Sequence, residues 1–225
     1  MKLYYHPVST TSRPIMMFAA EHDLPLEMQS IDLFTGEHLQ PPFAAINPSC
    51  QVPVLEDGDF RLTESSAILK YLADKVGSPA YPREPQRRAR VNELMDWCNT
   101  GLARELCYGT IYPQIFPNMH RASEEAQAQA LDWARPLARH WLDILDESLL
   151  GPSRAFLGGS EPCLADYTGV AMVTVGEAVH IDYTHWRNVS RWIGDMKARP
   201  GWAPSNEAFY AYVVAPLADK SFASL

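Results

Sequence analysis

The stretch from Gln51 to Ile68 constrains the fold of this chain more than any other. Val52, Val54 and Leu55 are strand formers. Asp57-Gly58-Asp59 follows, and Asp-Gly between apolar runs signals a tight turn. Phe60-Arg61-Leu62 then reads as a second strand, and Glu64-Ser65-Ser66 opens an apolar helix through Ala67, Ile68, Tyr71 and Leu72. Pro53 cannot donate to a sheet ladder, so it belongs at a strand start or edge. The residue before it keeps its own N–H and C=O free there. A free edge of that kind accepts an extended peptide by main-chain pairing. The helix start offers unpaired N–H groups and partial positive charge to a carboxylate, while Glu64 suits an ammonium. The three features together describe a receptor for a small zwitterionic peptide.

Each feature also has a plainer reading. About 5–6% of X–Pro bonds in folded proteins are cis, so Val52-Pro53 alone suggests an ordinary trans kink. Ser65 and Ser66 alone read as capping groups, and Glu64 alone as a solvated first-turn acid. Their order and spacing carry the inference.

In that order the stretch resembles the glutathione-binding half of a glutathione S-transferase, where a cis Val-Pro bond precedes a Glu-Ser pair. The resemblance runs over nearly the whole chain. It is closest to the theta class and its bacterial relatives, through Ser9-Thr10-Thr11-Ser12-Arg13, Asp32-Leu33, Gly36-Glu37-His38-Leu39, Asn47-Pro48 and Asp57-Gly58-Asp59-Phe60.

The 225 residues allow one large domain or two small ones, and 47% hydrophobic residues suffice for a buried core. A net charge of −8 argues against nucleic acid or an anionic membrane as partner. Glutathione is anionic too, so its site here needs local positive potential from helix ends and from residues such as His38. The four cysteines lack paired spacing, which suggests free thiols in a reducing compartment. The N-terminus does not read as a signal peptide and no apolar run reaches spanning length. A cytoplasmic protein is expected.

Along the chain, residues 2–5 read as a strand, residues 15–20 as a helix and residues 27–33 as a second strand. This is a βαβ unit with a right-handed crossover. Residues 34–50 read as loop with one helical turn. With the ββα run that follows, residues 1–77 form a thioredoxin-like α/β domain. Residues 78–86 carry three prolines in the run from Gly77 to Pro85 and read as a linker. Residues 87–225 read as an all-helical bundle. Within it, Ser123 caps an acid-started helix in which Pro136 predicts a kink. Residues 164–181 read as a buried central helix. Val189, Trp192, Ile193 and Met196 make the last clear amphipathic face.

The reaction implied by the resemblance is attack of a thiolate on a hydrophobic electrophile. A free thiol with pKa ~8.5 is only about 3% ionised at pH 7. Lowering that pKa by about two units asks the site for roughly 2.7 kcal/mol of preference for the anion. A donated hydroxyl with a helix N-terminus nearby supplies that order of energy. The Ser-x-x-Ser-Arg run aligns Ser9 with the catalytic position, with Thr10, Thr11, Ser12 and Tyr5 as rivals. The resemblance further implies His38 at the glycyl carboxylate, Val52 before Pro53 pairing with the cysteinyl unit, Glu64 with Ser65 at the γ-glutamyl end, and Gln51 as an added glutathione contact.

Residues 5–13 hold no cysteine, so a thiol nucleophile is missing where glutaredoxin-like or omega-type chemistry would need it. Cys50 reads as a small buried hydrophobe. There is no G-x-S-x-G elbow, and the seven histidines show no metal-ligand spacing, so neither a serine hydrolase nor a metal site is expected. Tyr108, Tyr112 and Phe116 recur every four residues and either face the electrophile or pack the core. Phe209, Tyr210 and Tyr212 lie in a tail that could cover the site. The resemblance implies a homodimer, but Thr100 stands where the theta pattern has a cross-subunit acid. A glutathione-dependent dehalogenase, an ether-cleaving lyase and a non-catalytic glutathione-binding module are the competing functions.

Overall fold

The computed structural model describes residues 1–225. Strand β1 (Lys2–Tyr5), helix α1 (Arg13–Glu21) and strand β2 (Glu27–Ser30) come first. A loop with a 3₁₀ turn at Glu37–Leu39 and the short helix α2 (Pro41–Ala44) follows. Strands β3 (Val54–Asp57) and β4 (Phe60–Leu62) and helix α3 (Ser65–Val76) complete the α/β part. The sheet order is β2-β1-β3-β4, with β1 parallel to β2 and β3 antiparallel to both its neighbours. This is the thioredoxin-like arrangement expected. Leu3 pairs with Leu55 across β1 and β3, and both are wholly buried against Ile15, Phe18, Ile68, Leu69 and Leu72.

β2 is shorter than the sequence suggests. Its last ladder bond runs from Ile31 N–H to the Tyr5 carbonyl at 2.8 Å, where His6-Pro7 ends β1. Asp32 then turns the chain by accepting from the N–H groups of Phe34 and Thr35. The loop beyond it contains two helical turns rather than one.

Gly77, at φ 63°, closes α3 in the left-handed conformation that suits glycine. The proline-rich segment after it is packed down: Ser78, Ala80 and Tyr81 are buried, and the Ala80 carbonyl accepts from Leu164 N–H at 3.1 Å. Glu84 accepts from the N–H groups of Gln86 and Arg87, so helix α4 (Pro85–Asp96) starts within that segment.

α4 continues as a wider π-helical coil through Trp97–Ile111 into α5 (Tyr112–Ile115). The ring of Trp141 lies so close over Gly101 that a Cβ there would sit 1.9 Å from it. α6 (Glu124–Asp143) is capped by Ser123, whose Oγ accepts from Ala126 N–H at 3.2 Å. Pro136 falls on its exposed face, where the carbonyl it leaves unbonded can meet water. α7 (Leu164–Val173) is buried on every side and tightens into a 3₁₀ turn over Thr174–Val179. α8 (Arg187–Lys197) buries the expected Val189, Trp192, Ile193 and Met196. One further helix, α9 (Trp202–Phe209), escaped the sequence reading because Pro204 and the preceding Pro200-Gly201 look like breakers. Pro204 sits in the first turn of α9, where a missing N–H costs nothing.

The start of α7 shows why Cys163 can stand where an oxygen cap would be expected. Asp166 reaches back and accepts from Cys163 N–H (2.8 Å), Leu157 N–H (2.7 Å), Gly158 N–H (3.2 Å) and Trp192 Nε1 (2.8 Å). Burial pushes its carboxyl pKa up while those donors pull it down. Asp166 thus holds the cap residue's own N–H, while the Cys163 side chain faces the Asp166 N–H as the other half of a capping box. Cys163→Ser is therefore expected to be neutral or mildly stabilising. Asp166→Asn, which turns an NH₂ toward buried donors, should cost about 1–3 kcal/mol. Thermal denaturation of both variants checks this; a clear loss of stability in Cys163→Ser would contradict it.

Candidate active site

The loop from His6 to Arg13 is held by its own backbone. Ser9 N–H donates to the His6 carbonyl, and the N–H groups of Ser12 and Arg13 both donate to the Ser9 carbonyl, each at 3.0 Å. Ser9 Oγ accepts from Ser12 N–H at 3.2 Å, bracing the turn that leads into α1. Ser12, weighed as a capping residue, makes no side-chain cap and is wholly buried with its Oγ unpartnered.

Ser9 Oγ also lies 3.0 Å from Thr11 Oγ1, and Thr11 Oγ1 donates to the Val52 carbonyl at 3.0 Å. The hydroxyl-rich turn is thus tied directly to the residue before Pro53. The Val52-Pro53 bond is cis. β3 begins only at Val54, so Val52 lies outside the sheet pairing. Asn47 shapes the approach, donating from Nδ2 to the Gln51 carbonyl at 2.8 Å and accepting from Ser49 N–H at 3.1 Å.

Glu64 precedes α3 with φ 64° and ψ 114°, a backbone state that a side-chain-bearing residue rarely adopts. Ser65 is the first residue of α3, and Ser66 Oγ accepts from Asn99 Nδ2 of the helical part. His38 stands in the 3₁₀ turn with its Nδ1 buried and unpartnered. The Gln51 side chain is exposed. Neither His38 nor the Gln51 side chain is hydrogen-bonded to the Ser9–Thr11–Val52 group.

From the helical part, Tyr112 donates its hydroxyl to Thr10 Oγ1 at 2.8 Å. Its ring meets Tyr108 edge-on at 5.0 Å and Phe116 at a tilt at 5.3 Å between centroids, so the three aromatics form one contiguous cluster beside the Ser9 loop. Tyr108 is 57% exposed. Burial raises the pKa of Tyr112 well above a free phenol's, keeping it a neutral donor.

Tyr5, the other rival hydroxyl, lies along an apolar groove with Met16, Leu24 and Met28 and packs against the core. Two of the tail aromatics are anchored inside: Phe209 is buried under the Arg13 guanidinium, and Tyr210 donates to Glu177 at 2.9 Å. Tyr212 points outward at 69% exposure. The final residues fold back instead onto α5, where Ala223 N–H donates to Gln114 Oε1 at 2.7 Å. Thr100 is exposed and spends its hydroxyl on the Asp96 carbonyl of its own helix at 2.8 Å.

Sequence reasoning missed Arg13 as a buried cation. It donates to Asn206 Oδ1 and to the Ala171 carbonyl, both at 2.7 Å, and stacks 4.0 Å from the Phe209 ring. Burial lowers its pKa to about 10, so it stays charged at neutral pH and pins α1 to α7 and α9. No helix is long and apolar enough to cross a membrane, and no three metal-ligating side chains cluster.

A model of the glutathione S-transferase N-terminal domain matches residues 1–74. Human glutathione S-transferase theta-1 is 36% identical over 182 residues, covering 80% of this chain and 72% of that protein. Among solved structures, a delta-class glutathione transferase of Nilaparvata lugens superposes with a TM-score of 0.79 at 32% identity, covering 96% of this chain and 98% of that one. Human glutathione S-transferase T1-1 in its apo form gives a TM-score of 0.80 at 30% identity, covering 93% and 90%. The chain belongs to the glutathione S-transferase family and resembles its theta class.

The Tyr112–Thr10 bond is the one hydrogen bond between the aromatic cluster and the Ser9 loop. Tyr112→Phe should lower stability by about 1 kcal/mol, measured by denaturant unfolding. An unchanged midpoint would contradict a stabilising role for that bond.

Proposed function

We propose that Ser9 is the hydroxyl with which this glutathione transferase activates the thiol of glutathione for attack on a hydrophobic electrophile. The carrying observation is the hydrogen-bonded group of Ser9, Thr11 and the Val52 carbonyl. It sets a hydroxyl beside a main-chain carbonyl that no strand pairs with. An extended cysteinyl unit paired with Val52 has its thiol next to Ser9. The positive end of α1 adds favourable potential for the anion. Serine acts here as a donor to sulfur and not as a nucleophile.

The remaining roles follow the same logic. Glu64 receives the γ-glutamyl ammonium and Ser65 with the first N–H groups of α3 receives the adjacent carboxylate; the unusual Glu64 backbone supports this reading. His38, with an unpartnered buried nitrogen, and Gln51 meet the glycyl carboxylate. Tyr108, Tyr112 and Phe116 form the apolar wall for the electrophile, supported by their edge-on and tilted contacts beside Thr10. The homodimer implied by the family is part of the same proposal, and sedimentation at working concentration tests it; a monomer would remove it.

Loss of one donor to a developing or resting anion costs about 2–4 kcal/mol in catalysis. Ser9→Ala should therefore lower kcat/KM about 30- to 1,000-fold with chlorodinitrobenzene or an alkyl halide. The dissociation constant for glutathione should change less than about three-fold, because the tripeptide is held elsewhere. Full activity in that variant would move the role to Thr10, Thr11 or Tyr5.

A further inference from the structure

The Ser9–Thr11–Val52 group has a proton direction that its geometry fixes. Thr11 Oγ1 is 3.0 Å from the Val52 carbonyl, Ser9 Oγ is 3.0 Å from Thr11 Oγ1, and Ser12 N–H donates to Ser9 Oγ at 3.2 Å. A hydroxyl has one proton to donate and two lone pairs with which to accept. The carbonyl can only accept, so the Thr11 proton goes to Val52. The Ser9–Thr11 bond must then be made with the proton of Ser9. In the free protein the Ser9 proton is therefore committed to Thr11 and is not available to another acceptor.

The Val52 carbonyl is also the acceptor that an extended peptide would take with its cysteinyl N–H. A second donor at that oxygen competes with Thr11 and weakens its bond. Thr11 then has a ready alternative acceptor in Ser9 Oγ. Reversing the chain requires rotation of two O–H bonds and no movement of a heavy atom. In the reversed arrangement Ser9 Oγ accepts from both Ser12 N–H and Thr11 Oγ1, and its own proton is free for sulfur. Two donors polarise the Ser9 hydroxyl and strengthen it as a donor in turn.

With Ser9 taken as the activating hydroxyl, we propose that Thr11 is a positioning residue that couples occupancy of the Val52 carbonyl to the direction of the Ser9 proton. The thiol is activated only when the amide beside it is recognised. The favoured substrate class is therefore an N-acylated cysteine, and a simple thiol without that N–H leaves Ser9 turned toward Thr11.

The test uses Thr11→Val, Thr11→Ser and Ser9→Ala, each followed by the ultraviolet thiolate absorbance of bound glutathione across pH. Thr11→Val should raise the bound-thiol pKa by about half a unit or more, and move the acid limb of kcat/KM with it. Thr11→Ser should restore both. A bound-thiol pKa unchanged or lowered in Thr11→Val, while Ser9→Ala raises it, would overturn the coupling and leave the role of Ser9 standing. No rise in Ser9→Ala would overturn the role of Ser9 itself. A second measurement needs no variant: a glutathione analogue with an ester oxygen in place of the cysteinyl N–H, bound to the wild-type protein. Its thiol should titrate near the free value, and a shift equal to that of glutathione would refute the coupling.

Discussion

The structure turns on one main-chain carbonyl held out of a β-ladder. Val52 precedes a proline that cannot donate, β3 starts two residues later, and the Val52 oxygen is served by a threonine hydroxyl instead of a strand. Asn47 anchors the approach from one side and the α1 loop closes on it from the other. β3 itself is an inner strand, paired with β1 and β4, so the unpaired main chain at Val52 comes from the proline at the strand's start and not from a sheet edge.

The helical part supplies rigidity to this region through contacts from several helices. Arg13, adjacent to the hydroxyl-rich turn, is buried without a carboxylate partner; its terminal nitrogens meet an amide oxygen and a carbonyl, its face an aromatic ring, and its Nε is unpartnered. An uncompensated buried cation is costly, so its retention fits a structural pin between α1 and α9. Tyr112 reaches the same loop from α5. The loop carrying Ser9 is thereby gripped by three separate elements, which suits a donor whose usefulness depends on being placed in advance. A net charge of −8 would otherwise disfavour an anionic tripeptide, so fixed local dipoles and the nearby cation matter more than the overall field.

Much of this was legible in the residues. The strand–turn–strand–helix around Pro53, the βαβ unit before it and the buried helix from Leu164 all follow from periodicity and turn chemistry. Ser9 could be placed among a few hydroxyls, but which hydroxyl bonds to which depends on a contact between residues 11 and 52, far apart in sequence. The same applies to Tyr112, whose helical spacing was compatible with either a core or a site. α9 was lost because Pro204 looks like a breaker unless the helix start is known. Cys163 lacks the oxygen usual at a helix start, and the compensation comes from Asp166, three residues on. Phe209 read as tail aromatic, although it lies beneath the one buried arginine. Local signals specified elements; contacts between distant segments specified roles.

The most direct measurement is the pH titration of thiolate absorbance for glutathione bound to the unmodified protein. A bound thiol that ionises about two units below the free value of roughly 8.5 would match the donor and dipole placed around it. Tight binding with an unshifted thiol would contradict the account, leaving a peptide receptor that does not activate its ligand.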